Sequence, residues 1–209
     1  MEKLDLRKQY KFLYNPSAKK IEVVDVPPLQ YAMIDGVIPP EQGPGDSADF
    51  HEAVEALYGI SYTLKFMFKK RLDNPVDYPV MWLEGLWAAA SGIYDPAVRD
   101  TWLYTVMIMQ PEFVTPDLFE EARAQLSKKK PGPGPARLRL EMFHEGPSMQ
   151  VMHIGPYATE PETLARMDAF YAEHGYTFHG RHHEIYLSDP FKTAPEKMRT
   201  ILRHPVRGK

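Results

Sequence analysis

Residues 182–188 alternate between polar and apolar side chains with a period of two, which predicts a β-strand with two chemically different faces. One face carries His182, Glu184, Tyr186 and Ser188. The other face carries His183, Ile185 and Leu187. Because an unpaired carboxylate is costly to bury in an apolar core, Glu184 is expected to face either water or a pocket.

The same order of predicted elements occurs twice along the chain. The first copy consists of a strand at 30–36, a helix at about 48–70, and strands at 80–87 and 102–110. The second copy consists of a strand at 150–155, a helix at about 160–174, and strands at 182–188 and 199–204. Further strands predicted at 21–26 and 138–143 precede the copies. The two repeats therefore cover about 20–111 and 137–206.

The segment between the repeats is predicted to be a helix followed by an extended connector. Thr115-Pro116 starts the helix, which runs to about Leu126, and the run Pro131–Pro135 alternates proline with glycine, which disfavours a helix. In the second copy, Thr159 and Glu162 have the spacing of a capping box, and Gly175 lies where the helix should end. The chain 1–209 is therefore expected to form a single α+β domain.

Composition and charge narrow the range of partners. The chain has 209 residues, of which 44% are hydrophobic and 25% charged, which suits one globular unit. Its formal net charge of -3 leaves no broad basic surface, so no nucleic-acid partner is expected. The sequence contains no cysteine and no apolar run of membrane-spanning length. We therefore expect a cytoplasmic protein without disulfides and without a membrane partner.

Several ordered segments resemble one known family. These segments are 30–36, 83–87, 107–113, 153–157 with Glu160, 184–190 and 195–197. Together they resemble the GyrI-like small-molecule-binding family, in particular its stand-alone subfamily of cyclopropanoid cyclopropyl hydrolases. The resemblance implies a pseudo-two-fold SHS2-type fold, in which duplicated strand-strand-helix-strand-strand units form an antiparallel sheet around a ligand groove.

The resemblance also implies a range of activities. Relatives serve as effector domains of multidrug-responsive activators, as a gyrase inhibitor, and as hydrolases that open the cyclopropane ring of DNA-alkylating compounds. The activators carry a separate DNA-binding module, and the first predicted strand near Ile21 leaves little room for one here. A regulator that binds DNA is therefore not the expected function.

Aromatic residues near the two strand carboxylates are candidate ligand contacts. If Ile185 and Leu187 face the helices, Glu184 must face a groove on the opposite side of the sheet. Trp82 would share a face with Glu84, whereas Trp87 would join Glu84 only if a bulge at Gly85 shifted the register. The candidate ligand-binding residues are Trp82, Glu84, Trp87, Trp102, Tyr104, Phe143 and Tyr186. Aromatic walls of this kind suit a planar aromatic, electrophilic or cationic small molecule, although many of these rings could simply fill the core.

Two residues are candidates for catalysis. Glu184 would orient and deprotonate a water molecule that attacks the cyclopropane, and Tyr157 would hold that water or donate a hydrogen bond to the developing charge. The alternatives are a protein that binds lipophilic cations without chemistry and an interaction protein of the gyrase-inhibitor type.

A metal site is not expected from the histidine cluster. Of His179, His182 and His183, only His182 shares a strand face with Glu184, since neighbouring residues on a strand point apart. We expect these histidines to face solvent at a strand end, and we expect no metal or other cofactor.

Overall fold

The computed structural model describes residues 1–91 and 100–208. The helices in this part of the chain are α1 (Leu6–Gln9), α2 (Lys11–Tyr14), α3 (Ala48–Lys69), α4 (Pro116–Lys129), α5 (Gly134–Arg137) and α6 (Glu160–His174). The strands are β1 (Glu2–Lys3), β2 (Glu22–Val26), β3 (Leu29–Ile38), β4 (Val76–Asp77), β5 (Leu83–Ala89), β6 (Trp102–Met109), β7 (Arg139–Phe143), β8 (Gly146–Ile154), β9 (Tyr176–Phe178), β10 (His182–Tyr186) and β11 (Arg199–Gly208). The mixed α+β class predicted from the pattern is confirmed.

A large antiparallel sheet forms the centre of the fold. Its nine strands follow the order β2-β8-β11-β10-β5-β6-β3-β7, with β9 paired to β11. The order is symmetric about the β10–β5 pair, since β11 and β8 on one side mirror β6 and β3 on the other. The central pair therefore brings the third predicted strand of each repeat side by side.

The strand that leads each repeat is exchanged between the two halves. β2 precedes β3 in the chain but pairs with β8, and β7 precedes β8 but pairs with β3. The sequence pattern did not indicate this exchange. Each half of the sheet is therefore completed by a strand from the other half.

Most helix ends agree with the predictions, and two local features differ. The Thr115 hydroxyl accepts from the backbone N–H of Leu118 at 3.3 Å, and Gly175 ends α6 with a left-handed φ of 69°. The capping box predicted at Thr159 is wrong, because its hydroxyl donates to the Pro156 carbonyl at 2.8 Å instead of capping α6. The connector is not fully extended either, since α5 forms one helical turn within it.

Both long repeat helices pack on the same face of the sheet, which we call the helix face. Phe50 of α3 stacks on Trp87 of β5 at 5.7 Å, and Thr163 of α6 lies 2.9 Å from His153 of β8. The opposite face, which we call the N-terminal face, is covered by the segment that contains α1 and α2. There Arg203 donates to the Leu13 carbonyl at 2.7 Å. Both faces of the central strands are therefore buried.

Candidate functional site

Glu184 lies at the centre of the sheet, on the helix face. β10 pairs with β5 and β11, which places Glu184 opposite Gly85 on one side and Leu202 on the other. The expectation that Glu184 faces away from the helices is wrong, because its face is the one that α3 and α6 cover. Only 7% of the residue surface remains exposed. The carboxylate is thus held in a sheltered position between the two halves.

A histidine on the same strand holds the Glu184 carboxylate. The Nε2 atom of His182 lies 3.0 Å from Glu184 Oε1. The alternation along β10 correctly placed the two side chains on one face. The expectation that the histidines face solvent at this strand end was wrong for His182 and His183, because both are fully buried.

Aromatic rings form a wall next to Glu184. Trp87 donates from Nε1 to the Tyr186 hydroxyl at 2.9 Å, and the Tyr157 ring meets Tyr186 edge-on at 6.0 Å. The wall depends on Gly85, since a Cβ atom there would lie 2.8 Å from Trp87 Nε1 and 3.0 Å from the Tyr186 hydroxyl. The bulge that would have joined Trp87 to Glu84 does not occur, and the regular register places Trp87 on the face of Glu184 instead.

The aromatic cluster extends along β6 under α3. Trp102 meets Trp87 edge-on at 6.0 Å, and the Tyr104 ring lies at the same distance from Trp87. The Tyr104 hydroxyl donates to Asp49 Oδ2 of α3 at 2.5 Å, so this ring is fixed by the protein itself. Trp87, Trp102, Tyr104 and Tyr186 are therefore the candidate residues that share the helix face with Glu184.

A second carboxyl group, Glu160, lies close to Glu184 and was not among the predicted catalytic residues. Burial, together with the negative charge of Glu184, raises the pKa of Glu160 to about 10, although a hydrogen bond with Thr200 opposes this shift. Its Oε1 atom is buried and has no hydrogen-bond partner within residues 1–91 and 100–208. Glu160 is therefore protonated at neutral pH and can donate a hydrogen bond. Its signals in the sequence were its place at the start of the helix and its occurrence in a segment that resembles the family.

Tyr157 lies at the outer end of this group, on the turn that leads into α6. It is 40% exposed, and burial of its hydroxyl with the charges of Glu184 and Glu160 raises its pKa to about 12. The hydroxyl therefore stays protonated and can donate. Burial and the charge of Glu184 likewise raise the pKa of Tyr186 well above its usual range.

Three of the predicted ligand-binding residues do not join Glu184. Trp82 contacts Tyr14 at 5.3 Å on the N-terminal face, and Phe143 packs there against Tyr31 at 6.3 Å. Glu84 is completely buried on that same face, where it accepts from the Tyr14 hydroxyl at 2.7 Å. Placing these residues in one groove with Glu184 was wrong, since they are on the other side of the sheet.

Glu84 belongs instead to a buried network of charges. His183 lies between Glu84 and Glu145, at 3.0 Å from the first and 3.1 Å from the second, and Arg203 reaches Glu145 at 3.5 Å. Burial alone would lower the pKa of His183, but the two carboxylates raise it above its usual value. Burial would raise the pKa of Glu145, but His183 and Arg203 hold it below its usual value. The network therefore contains balanced charges that stabilise one another.

Open pockets also occur away from Glu184. One of about 480 Å³ is lined by residues that include His144, Tyr176 and Arg207. Another of about 410 Å³ runs along the start of α6 and includes His153 and Thr159. Glu184 lines neither of these two pockets, and Tyr157 is the exposed outer member of the aromatic wall.

The fold is an antiparallel sheet with α3 and α6 on one face and a buried carboxylate beside aromatic rings. Comparison with known proteins identifies its family. Residues 19–207 match the GyrI-like small molecule binding domain, and the chain belongs to this family. An uncharacterized conserved protein from Listeria innocua is 41% identical, with a TM-score of 0.86 over 98% of this chain and 100% of that chain. A hydrolase from Listeria innocua is 40% identical, with a TM-score of 0.83 over 98% of this chain and 100% of that chain.

More distant similarity concerns the fold alone. The C-terminal domain of EcmrR is 10% identical, with a TM-score of 0.55 over 91% of this chain and 98% of that chain. No match was found among curated proteins. No helix in the described ranges is long and apolar enough to cross a membrane.

Proposed function

We propose that this protein is a hydrolase that opens the cyclopropane ring of planar, electrophilic cyclopropanoid compounds. The observation that carries the proposal is the placement of Glu184, which His182 holds at 3.0 Å beside the Trp87–Tyr186 pair. The hydrolase from Listeria innocua, 40% identical over nearly the whole of both chains, supports hydrolytic chemistry in general.

The proposed reaction adds one water molecule across the strained ring. Glu184 takes a proton from water, and the water oxygen bonds to the unsubstituted ring carbon while the cyclopropane C–C bond breaks. The electron pair of that bond moves through the conjugated dienone to its carbonyl oxygen. This oxygen takes up a proton and becomes a phenol, and Glu184 gives its own proton back to solvent.

Two neutral hydroxyl donors are available for the developing negative charge. Glu160 is protonated at neutral pH because burial and Glu184 raise its pKa to about 10. Tyr157 also remains protonated, with a pKa raised to about 12 by burial and the neighbouring carboxylates. Donors held in place before the reaction stabilise a forming oxyanion without the cost of reorganising solvent. Glu184 would thus act as the base, with Glu160 and Tyr157 as donors.

The aromatic wall would orient the substrate. Planar rings can stack on Trp87 or Tyr186, and each such contact contributes on the order of 1 kcal/mol. Holding the ring carbon close to the activated water raises the rate because the two reactants no longer have to find each other.

Incubation of the purified protein with a planar spirocyclopropyl dienone tests the proposal. We expect a ring-opened phenol in molar excess over protein, detected by absorbance and mass spectrometry. Glu184→Gln should lower kcat by about 10²- to 10⁴-fold, since a positioned base is lost. Glu173→Gln, at an exposed position of α6, is the matched control and should leave the rate unchanged. Normal turnover by Glu184→Gln would exclude Glu184 as the base.

Capture of a lipophilic cation without chemistry is the second candidate function. The negative charge of Glu184 next to aromatic rings would suit such a guest. In the same assay this alternative predicts no excess of phenol, together with binding of a planar cationic dye such as rhodamine 6G that Glu184→Gln weakens.

A further inference from the structure

A continuous chain of hydrogen-bonding groups leads from Glu184 to Tyr171 of α6. Glu184 Oε1 lies 3.0 Å from His182 Nε2, and His182 Nδ1 lies 2.6 Å from His204 Nε2. His204 Nδ1 then lies 2.5 Å from the hydroxyl of Tyr171. The chain joins β10, β11 and α6, and its two histidines are buried, whereas Tyr171 is partly exposed.

Two arrangements of protons satisfy every contact in this chain while Glu184 is a carboxylate and His204 is neutral. In the first, His182 donates from Nε2 to Glu184 and accepts at Nδ1 from His204 Nε2–H, and His204 accepts at Nδ1 from the Tyr171 hydroxyl. In the second, His182 carries a proton on both nitrogens and donates to His204 Nε2. His204 then carries its proton on Nδ1 and donates to the Tyr171 oxygen. The arrangements differ by one proton.

We propose that Tyr171, His204 and His182 form a proton-transfer path that connects the surface at α6 with the His182–Glu184 pair. A solvent proton binds to the Tyr171 oxygen while the hydroxyl proton moves to His204 Nδ1. The proton on His204 Nε2 moves to His182 Nδ1, which completes the second arrangement. One proton has entered at Tyr171, one positive charge has formed beside Glu184, and His204 has changed tautomer without changing charge. The reverse transfer returns the proton to solvent.

The surroundings of His204 fit this role. Burial, together with the neighbouring His182 and His183, holds the pKa of His204 well below its usual range, so His204 relays a proton without becoming charged itself. The ring also stacks on Phe178 at 4.4 Å, which keeps it from turning over.

Other titratable groups face the path from each element packed against it. Glu184 lies on β10, and Glu160 and Asp168 lie on α6, where Asp168 acts on Tyr171 and burial raises the pKa of Tyr171. From the other side of the sheet His183 acts on His204, while β5 presents the uncharged Trp87 opposite His182. A titration must therefore follow the ring nitrogens themselves rather than activity alone.

For the proposed hydrolase, these three residues would position Glu184 and set the charge next to it, while the path itself needs no substrate. The inference rests on the proposed function only for this catalytic role.

The first test is a pH titration of the protein labelled with ¹⁵N-histidine. We expect His204 to change from the Nε2–H to the Nδ1–H tautomer as the pH falls, with the same midpoint as the charging of His182. A single His204 tautomer throughout the charging of His182 would overturn the proposal.

The second test compares Tyr171→Phe with Tyr62→Phe, at an exposed position of α3. Loss of the Tyr171 oxygen should slow the exchange of the His182 and His204 ring protons with solvent by at least about 10-fold, because proton hopping requires an unbroken chain. Unchanged or faster exchange would show that Tyr171 only packs against His204. Tyr62→Phe should exchange like the unaltered protein. Both measurements are made without substrate, so their outcomes test the proton path independently of the hydrolase activity.

Discussion

Glu160 and Glu184 are two carboxyl groups that one site keeps in different protonation states. Burial and the charge of Glu184 raise the pKa of Glu160 to about 10, and Glu160 Oε1 has no hydrogen-bond partner in the described part of the chain. A protonated carboxyl group beside a carboxylate lets one site offer a hydrogen-bond donor and a base at the same pH. The raised pKa also means that ionisation of Glu160 destabilises the folded protein.

The raised pKa of Glu160 predicts that the difference in stability between Glu160→Gln and the unaltered protein depends on pH. Because the pKa of Glu160 is raised on folding from 4.5 to about 10, its contribution to stability is complete below about pH 4.5 and is lost progressively toward about pH 10. Glu160→Gln removes the titrating group. The free energy of unfolding of the variant, relative to that of the unaltered protein, should therefore increase as pH rises, by up to about 1.4 kcal/mol per pH unit. Urea unfolding at about pH 6 and about pH 8 measures this change.

The exposed Glu173→Gln variant provides the comparison. Its difference in unfolding free energy from the unaltered protein should not vary with pH over this range. A pH-independent difference for Glu160→Gln as well would contradict a raised pKa at Glu160.

Sequence reasoning succeeded for residues whose position depends on local periodicity. His182, Glu184 and Tyr186 could be assigned to one face because a strand alternates regularly. Glu160 could not be recognised as a partner of Glu184, since it comes from α6 and meets β10 only through packing. The contacts of His204 and Tyr171 depend on the pairing of β10 with β11 and on the docking of α6, and a single sequence does not contain that information in any local pattern.

Among the elements, β10 has the most demanding environment because both of its faces are buried. Its even-numbered residues meet the helix face, while His183 on the other side joins the buried network with Glu84 and Glu145. The bounds of α3 and α6 followed from their apolar spacing and from Gly175. The face of the sheet that α3 and α6 cover could not be predicted. The helices that cover the opposite face, α1 and α2, have four residues each and give no periodic signal. Without them, the N-terminal face looked free to hold a groove.

The pairing of β5 with β10 gives a prediction about Gly85. In Gly85→Ala the new methyl group would meet the Trp87–Tyr186 hydrogen bond, at 2.8 Å from Trp87 Nε1. The indole must move, at a cost of about 1–3 kcal/mol in stability. We expect a shift in tryptophan emission and a kcat/KM for ring opening lowered by at least about 10-fold, as expected for a substrate held out of position.

Gly45→Ala is the matched glycine control, since a Cβ atom at Gly45 meets nothing within 4 Å. It should change neither the emission nor the kcat/KM. If Gly85→Ala behaved in the same way, Trp87 and Tyr186 would not form the substrate wall.

At the scale of the whole molecule, the exchange of β2 and β7 ties the two halves together. β2 pairs with β8 over Glu22–Val26, and β7 pairs with β3 over Arg139–Phe143. Glu184 lies where the two halves meet, so both halves contribute to its surroundings. The symmetric order of the strands could be inferred from the repeated pattern, whereas the exchange depends on long-range pairing that local patterns do not specify.

The exchange predicts that the two halves unfold together. Trp82, Trp87 and Trp102 report on the first half by fluorescence, while ring signals of His153 and His204 report on the second half by NMR. Because neither half has a complete sheet alone, both probes should give the same urea midpoint. Separate midpoints would show that one half is stable without its exchanged strand.

The crossed strands also determine what one unit could form by itself. A polypeptide with only one unit would carry a leading strand with no place in its own sheet and would lack the strand that completes that sheet. A second copy of the unit supplies both, as the two halves of this chain do for each other. The duplication seen in the sequence is therefore also a structural requirement of this topology.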